Sequence, residues 1–103
     1  MFDELIKKIE ETSKKIDKKD SNMKMLKLVE EVGELSQALL IHQDAIGTKY
    51  RNKAEYSIQE EVADVLLCLF SLCSILNIDH ADLRDSINDK LRKWESKVRY
   101  DQE

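Results

Sequence analysis

Residues 28–40 read LVEEVGELSQALL and combine apolar residues at helical spacing with closely spaced acids. Glu30, Glu31 and Glu34 fall on two adjacent turns, and Gly33 lies among them. A glycine inside a helix costs about 1 kcal/mol relative to alanine. An apolar period of three and four residues predicts an amphipathic helix. The segment therefore favours an all-α fold and leaves both the acids and the glycine to be explained.

The composition of the 103-residue chain agrees with this fold class. It is 42% hydrophobic and 37% charged, with two glycines and no proline, which favours long helices over a turn-rich β architecture. The length suits one domain, residues 1–103. The net charge is −4 and the lysines are interleaved with acids, so we expect no binding to nucleic-acid polymers.

The sequence also predicts a location. The first 15 residues mix charged and apolar side chains, unlike a signal or transit peptide. The most apolar segment, residues 62–78, carries Asp64 and is short for a membrane span, so no membrane partner is expected. Cys68 and Cys73 have neither the spacing of a zinc site nor a shared helical face. We therefore expect free thiols in a reducing cytoplasm.

The apolar pattern predicts four helices. They cover about residues 2–18, 22–46, 58–76 and 80–98, and residues 47–56 form the one long loop. The third helix is apolar on nearly all sides, more than one small bundle can cover. The predicted fold is therefore a four-helix bundle completed by homo-oligomerisation, as a homodimer or homotetramer.

Local signals predict where these helices begin and end. Ser21 or Asn22 is expected to cap the second helix, and Gly47 to end it. Ser57 and Glu60 form a capping box at the start of the third. The fourth carries an apolar stripe, and residues 99–103 are expected to fray. The stripe consists of Leu83, Ile87, Leu91 and Trp94.

Two carboxylate pairs stand out on consecutive helices. Glu31 and Glu34 form ExxE on the second, and Glu61 and Asp64 form ExxD on the third. Residues three apart share one side of a helix, so each pair points two carboxylates at one place. If the two helices pack antiparallel, the four acids converge into an all-oxygen cage suited to Mg²⁺, or to Mn²⁺ in its place.

The same acids also fit roles that need no metal. Acids in the first turn of a helix are favoured by its dipole, and the acids of the second helix could be a solvated face balanced by Lys24 and Lys27. A di-iron bundle would use Glu-x-x-His. Neither His42 nor His80 completes that motif, so redox iron is disfavoured.

With these residues in place, the chain resembles the MazG-like family of all-α nucleoside triphosphate pyrophosphohydrolases. The resemblance rests on KLVEEVGELSQAL, EEVADVLLCLFSL, the NID turn and DKLRKWESK, and it spans residues 24–97. It implies Mg²⁺ bound by the four acids of the two pairs, with Glu30 and Glu60 in supporting roles. It also implies cleavage of a nucleotide between its α and β phosphates, with Glu31, Glu34 and Glu61 as catalytic residues. A carboxylate that the metal does not fully occupy can take the proton of the attacking water, and Glu34 is our candidate for that base.

The resemblance further implies basic residues for the polyphosphate. Lys90, Lys93 and Lys97 form one stripe on the fourth helix, and Lys27 lies one turn before Glu31. In the family this helix carries a lysine, an asparagine and an arginine, whereas Trp94 and Lys97 stand in the last two places here. Base selection is expected to fall to the first helix, the loop over residues 47–56 and a partner chain.

Three functions are compatible with these features. The first is an Mg²⁺-dependent nucleoside triphosphate pyrophosphohydrolase acting on (d)NTPs in nucleotide-pool house-cleaning. The second is a phosphoribosyl-ATP pyrophosphohydrolase, ranked lower because DVLLCLFSL lacks the tyrosine and histidine expected there. The third is a catalytically silent helical oligomer. For Gly33, the sequence predicts a close approach of the neighbouring helix, which lets the acids share metal.

Overall fold

The computed structural model describes residues 2–102 and contains four α-helices. They are α1 (Phe2–Ile16), α2 (Ser21–His42), α3 (Ile58–Ile75) and α4 (His80–Gln102). A short 3₁₀ helix, Lys53–Glu55, lies in the loop between α2 and α3. The all-α class and the four predicted helices are confirmed. The single-domain assignment stays a prediction.

The ends of α2 differ from the prediction. Its N-cap is Asp20, whose Oδ1 accepts a 2.8 Å hydrogen bond from the Met23 amide, so the assignment to Ser21 or Asn22 was wrong. The helix ends at His42, before the predicted Gly47. Asp44, with φ of 55°, turns the chain into the left-handed region, which asparagine and aspartate tolerate better than most residues. Gly47, with φ of 92°, lies further along the loop.

The start of α3 agrees with the prediction, whereas the end of α4 does not. Ser57 caps α3 as predicted, because its Oγ accepts a 3.2 Å hydrogen bond from the Glu60 amide. The helix α4 continues to Gln102, so the predicted fraying of residues 99–102 was wrong; Glu103 lies outside the described residues. With no glycine or proline after residue 80, nothing in the chain itself stops that helix.

The core lies between α2 and α3, with α1 packed on α3. Lys24 on α2 contacts Ser71 on α3, while Glu31 lies by Glu61 and Asp64, so the two helices run antiparallel. This is the arrangement that the sequence required for the two carboxylate pairs to meet. The buried apolar side chains are Ile6, Ala38, Ile41, Phe70, Leu72 and Cys73.

The helix α4 stands apart from this three-helix core. It follows α3 after a bend of 118° and packs only on α1, where Arg84 forms a 2.6 Å ion pair with Asp3. None of its described residues is buried, and the predicted stripe stays exposed at Ile87, Leu91 and Trp94. A closed four-helix core is therefore not formed by the described part of one chain.

A buried polar network joins α1, α2 and α3. The ammonium group of Lys24, only 4% exposed, donates to Ser13 Oγ at 2.9 Å, Ser71 Oγ at 2.6 Å and Asp17 Oδ2 at 3.0 Å. All three donors of the lysine are thereby used. The hydrogen bond from Lys24 lowers the pKa of Asp17 to about 2. Lys24 therefore faces the core, and the alternative in which it balances the acids of α2 was wrong.

The length and polarity of the described helices bear on whether they could cross a bilayer. None of them alone is long and apolar enough to do so. The segments Lys53–Ile75 and His80–Gln102 together reach the length and composition of a membrane span, but the chain bends by 118° between them.

Candidate metal centre

The predicted acids of α2 and α3 meet at one place. One carboxylate oxygen each from Glu31, Glu61 and Asp64 lie within 4.8 Å of one another. In a second group, one carboxylate oxygen each from Glu30, Glu31 and Glu34 also lie within 4.8 Å of one another. Because Glu31 belongs to both groups, the four predicted ligands and Glu30 form one continuous set, which we call the acidic cluster. Glu60 belongs to neither group.

Two oxygens in the acidic cluster lack hydrogen-bond partners among the described residues. They are Glu31 Oε2 and Glu61 Oε2, and both are buried. Glu31 as a whole is only 7% exposed. A buried carboxylate oxygen without a donor is costly, and a cation would satisfy it. The donor set is all oxygen, which fits a hard divalent cation such as Mg²⁺ or Mn²⁺.

The charge of the acidic cluster is only partly balanced within the chain. Among the described residues, Lys27 is the base within ion-pair distance, with Nζ 3.1 Å from Glu31 Oε1 and 3.4 Å from Glu30 Oε1. These contacts raise the pKa of Lys27. The hydrogen bond and the like charge of Glu31 raise the pKa of Glu34. One lysine against five carboxylates leaves a site that attracts cations.

A cavity of about 440 Å³ opens beside the acidic cluster, between α1, α2 and α3. Its apolar walls include Leu5, Ile9 and Leu67, and the network of Lys24 contributes to its polar part. Lys27 lines the cavity and also pairs with the acids, so it joins the two sites. The size is within the range of small-molecule pockets.

The loop over residues 47–56, expected to help select the base, contributes no residue to the lining of this cavity among the described residues. Neither Tyr50 nor Tyr56 lines it. Both tyrosines instead flank Arg51, whose guanidinium carbon lies 5.0 Å and 6.0 Å from the two ring centroids. Of the elements expected to select the base, the first helix is the one found at the cavity.

The lysines of α4 are placed differently from Lys27. Lys90, Lys93 and Lys97 lie on a helix that contacts α1 but neither α2 nor α3 in the described chain. Lys93 and Lys97 line a shallow hollow of their own with Arg92. The described chain therefore does not bring these lysines to the acidic cluster, and their role in binding substrate stays a prediction.

The histidines lie outside the acidic cluster. His42 is the last residue of α2, and its Nε2 contacts the carbonyl oxygen of Tyr56. His80 opens α4. Within residues 2–102 neither histidine belongs to the groups that could hold a metal, in keeping with the exclusion of the Glu-x-x-His motif.

The structure corrects the prediction for Gly33. A Cβ atom built there would have no heavy atom within 4 Å outside its own helix. Gly33 lies on the side of α2 opposite to Lys24, Glu31 and Ala38, the residues that face the core. The absence of a side chain is therefore not needed for the approach of α3, and that prediction was wrong.

The comparisons with known proteins agree with the resemblance seen in the sequence. Residues 19–98 match the family described as the MazG nucleotide pyrophosphohydrolase domain. Searches of curated proteins and of solved structures each found no match. The matched region contains α2, α3 and most of α4, and thus the whole acidic cluster. The chain belongs to the MazG nucleotide pyrophosphohydrolase domain family.

Proposed function

We propose that the protein is an Mg²⁺-dependent nucleoside triphosphate pyrophosphohydrolase, which converts a (d)NTP and water into a (d)NMP and pyrophosphate in nucleotide-pool house-cleaning. Membership of the family indicates nucleotide pyrophosphohydrolase activity in general. The observation that carries the finer proposal is the acidic cluster, in which buried oxygens of Glu31 and Glu61 lack hydrogen-bond partners among residues 2–102. Mn²⁺ is expected to substitute for Mg²⁺.

The chain would hold the cation mainly through Glu31, Glu61 and Asp64, with Glu34 at the edge of the site. When bound, Mg²⁺ supplies Lewis-acid neutralisation of the polyphosphate and acidifies the attacking water. Hydrolysis forms a bond from the water oxygen to the α phosphorus and breaks the bond from that phosphorus to the α–β bridging oxygen, which leaves with pyrophosphate. Glu34 is exposed and its pKa is raised, so it can accept the proton of the water at a carboxylate oxygen.

The cavity suits the nucleoside part of the substrate. It adjoins the acidic cluster through Lys27, so a nucleotide in the cavity can place its phosphates at the acids and their cation. Lys27 would then exchange its carboxylate partners for phosphate oxygens. The apolar walls of Leu5, Ile9 and Leu67 offer a surface for the base and exclude water from it.

We also propose that the protein assembles with itself, as a homodimer or homotetramer. The exposed apolar stripe of α4 supports this, because the described chain gives it no partner beyond α1. Lys90, Lys93 and Lys97 would then serve the site of a neighbouring chain. The cytoplasmic location stays a prediction, and the free thiols of Cys68 and Cys73 suit a reducing compartment.

A substrate panel tests the proposal. The protein is incubated with Mg²⁺ and each NTP, each dNTP or phosphoribosyl-ATP, and pyrophosphate and orthophosphate are measured separately. We expect pyrophosphate from at least one (d)NTP. Glu61→Gln removes a ligand of the cation and is expected to lower the turnover by about 100-fold or more, since metal stabilisation of the transition state is worth several kcal/mol.

The matched control is Glu60→Gln, an acid next in sequence that lies outside the acidic cluster. It should leave the turnover nearly unchanged. Orthophosphate as the first product, or equal turnover in Glu61→Gln and the wild type, contradicts the proposal. Turnover of phosphoribosyl-ATP alone selects the second function, and no turnover of any substrate selects the silent oligomer.

A further inference from the structure

One end of the cavity between α1, α2 and α3 carries an acid. Asp17 follows the last residue of α1 and lines the cavity with a side chain that is 24% exposed. The other charged side chains that line the cavity are lysines, so Asp17 is the one carboxylate among the described lining residues. An ionised carboxylate accepts hydrogen bonds and donates none. It therefore restricts which chemical groups of a ligand can lie against this end of the cavity.

The carboxylate of Asp17 is held ionised and in one orientation. Its Oδ2 accepts a 3.0 Å hydrogen bond from Nζ of the buried Lys24, and its Oδ1 accepts a 3.1 Å hydrogen bond from the backbone amide of Lys19. The hydrogen bond from Lys24 lowers the pKa of Asp17 to about 2, so the group is charged at neutral pH. A charged acceptor that is fixed in advance loses little freedom when a ligand binds to it.

One partner of Asp17 is easily displaced. Lys19 Nζ lies 3.3 Å from Oδ1 on a side chain that is 44% exposed, and solvent screens an ion pair of this kind. An N–H group of a ligand in the cavity can take that place. The hydroxyls of Ser13 and Ser71 are already bonded to each other and to Lys24. Oδ1 of Asp17 is therefore the charged acceptor that a ligand would meet.

The distance from Asp17 to the acidic cluster suits a nucleotide. Asp17 contacts Lys24, which precedes Glu31 by seven residues on the buried side of α2, a rise of about 10 Å. A nucleotide that lies along the cavity with its phosphates at the acidic cluster thus brings the edge of its base towards Asp17. An exocyclic amino group on that edge would donate to Oδ1, whereas a carbonyl oxygen in the same place would face a negative charge without a donor.

We infer that Asp17 selects nucleotides whose base carries an amino group on that edge, cytosine or adenine, over those with a carbonyl oxygen there, namely uracil, thymine or hypoxanthine. The inference rests on the proposed function, since it takes the cavity to hold the base. Asp17 precedes the residues 19–98 that match the family, so membership of the family assigns it no role.

Two matched pairs of substrates test the inference on the full chain with Mg²⁺. They are dCTP with dUTP and dATP with dITP, and each pair exchanges an amino group for a carbonyl oxygen. In the wild type, kcat/KM for the amino member should exceed that for its partner by about tenfold or more. The amide of Asp17→Asn can donate as well as accept, so this variant should lower each ratio by about tenfold.

The ratio separates base selection from stability. Both members of a pair are measured on one preparation, so a loss of folded protein cancels. The matched control is Glu11→Gln, which changes an exposed acid of α1 that does not line the cavity. This variant and Lys19→Met should both keep the ratios of the wild type. Wild-type ratios near one, unchanged ratios in Asp17→Asn, or an equal fall in Lys19→Met would each overturn the inference.

Binding distinguishes a failure of the inference from a failure of the proposed function. The α,β-methylene analogues of dCTP and dUTP have a carbon in place of the bridging oxygen, so titration calorimetry with Mg²⁺ measures their affinity for the wild type without turnover. Binding of the dCTP analogue that is tighter by about tenfold supports the inference, even if no triphosphate is hydrolysed and the proposed function fails. Equal affinity, or no binding of either analogue, overturns the inference, while release of pyrophosphate without base preference leaves the proposed function standing.

Discussion

Replacing Glu31 by glutamine is expected to lower Mg²⁺-dependent turnover by about 100-fold or more while leaving the metal-free protein at least as stable as wild type. Glu31 belongs to both groups of acids, so its loss removes the shared ligand. Without metal, the buried Oε2 of Glu31 has no hydrogen-bond partner in the described part of the chain and faces like charges, which an amide relieves. The lost ion pair to the half-exposed Lys27 costs little, because solvent screens it.

Thermal melting separates these effects. For the wild type, Mg²⁺ at 100 times its dissociation constant should stabilise the fold by about 2.7 kcal/mol and raise the midpoint by about 12 °C. In Glu31→Gln this rise should be largely lost. The control is Glu60→Gln, which removes an acid outside the acidic cluster and should keep the full response to Mg²⁺. A variant Glu31→Gln that melts lower without metal, yet keeps its full response to Mg²⁺, contradicts the assignment.

Replacing Lys24 by methionine is expected to destabilise the fold by about 2 kcal/mol at neutral pH. Methionine has a comparable volume but donates no hydrogen bond, so the charge-assisted contacts to Asp17, Ser13 and Ser71 are lost. The two serine hydroxyls can still pair with each other, at 2.6 Å, which limits the cost. Glu31 and the rest of the acidic cluster are untouched.

The pH dependence of stability identifies the cause. The folded pKa of Asp17, about 2, lies below its ordinary value of 3.8. Its contribution is therefore present above pH 3.8 and lost as the pH falls towards 2. Denaturant unfolding at fixed protein concentration should show that this acid sensitivity is smaller in Lys24→Met. The control is Lys19→Met, an exposed partner of the same carboxylate at 3.3 Å. Equal losses in both variants contradict the assigned role of the buried lysine.

The sequence was sufficient to predict the structure where the signal lies in neighbouring residues. A period of three and four residues specifies helices, and the Ser57 cap needs only Glu60 three residues later. Pairs of acids at i and i+3 on neighbouring helices were enough to predict which carboxylates would meet, given antiparallel packing. The geometry of the acidic cluster agrees with that expectation.

The sequence was insufficient where the outcome depends on distant residues. One alternative had Lys24 balance the acids of α2, because lysine is normally exposed. In the structure, Ser13 and Ser71 from two neighbouring helices hold it in the core. A signal was present: Lys24 lies seven residues before Glu31 and fourteen before Ala38, on the side of α2 that is buried. The amphipathic pattern of α4 likewise predicts an apolar stripe but not which surface covers it.

Gly33 is another residue whose surroundings the sequence did not predict. The sequence predicted that the missing side chain at Gly33 lets the neighbouring helix approach closely. It did not indicate which side of α2 faces α3, and the structure places Gly33 on the opposite side, with no neighbour within 4 Å.

Hydrolysis in water labelled with ¹⁸O tests most directly whether the acidic cluster directs water to the α phosphorus of a nucleoside triphosphate. With Mg²⁺ and the preferred (d)NTP, mass spectrometry should find one ¹⁸O in the monophosphate and none in pyrophosphate. Label in pyrophosphate or in orthophosphate, or no hydrolysis of any triphosphate, would contradict this role of the acidic cluster.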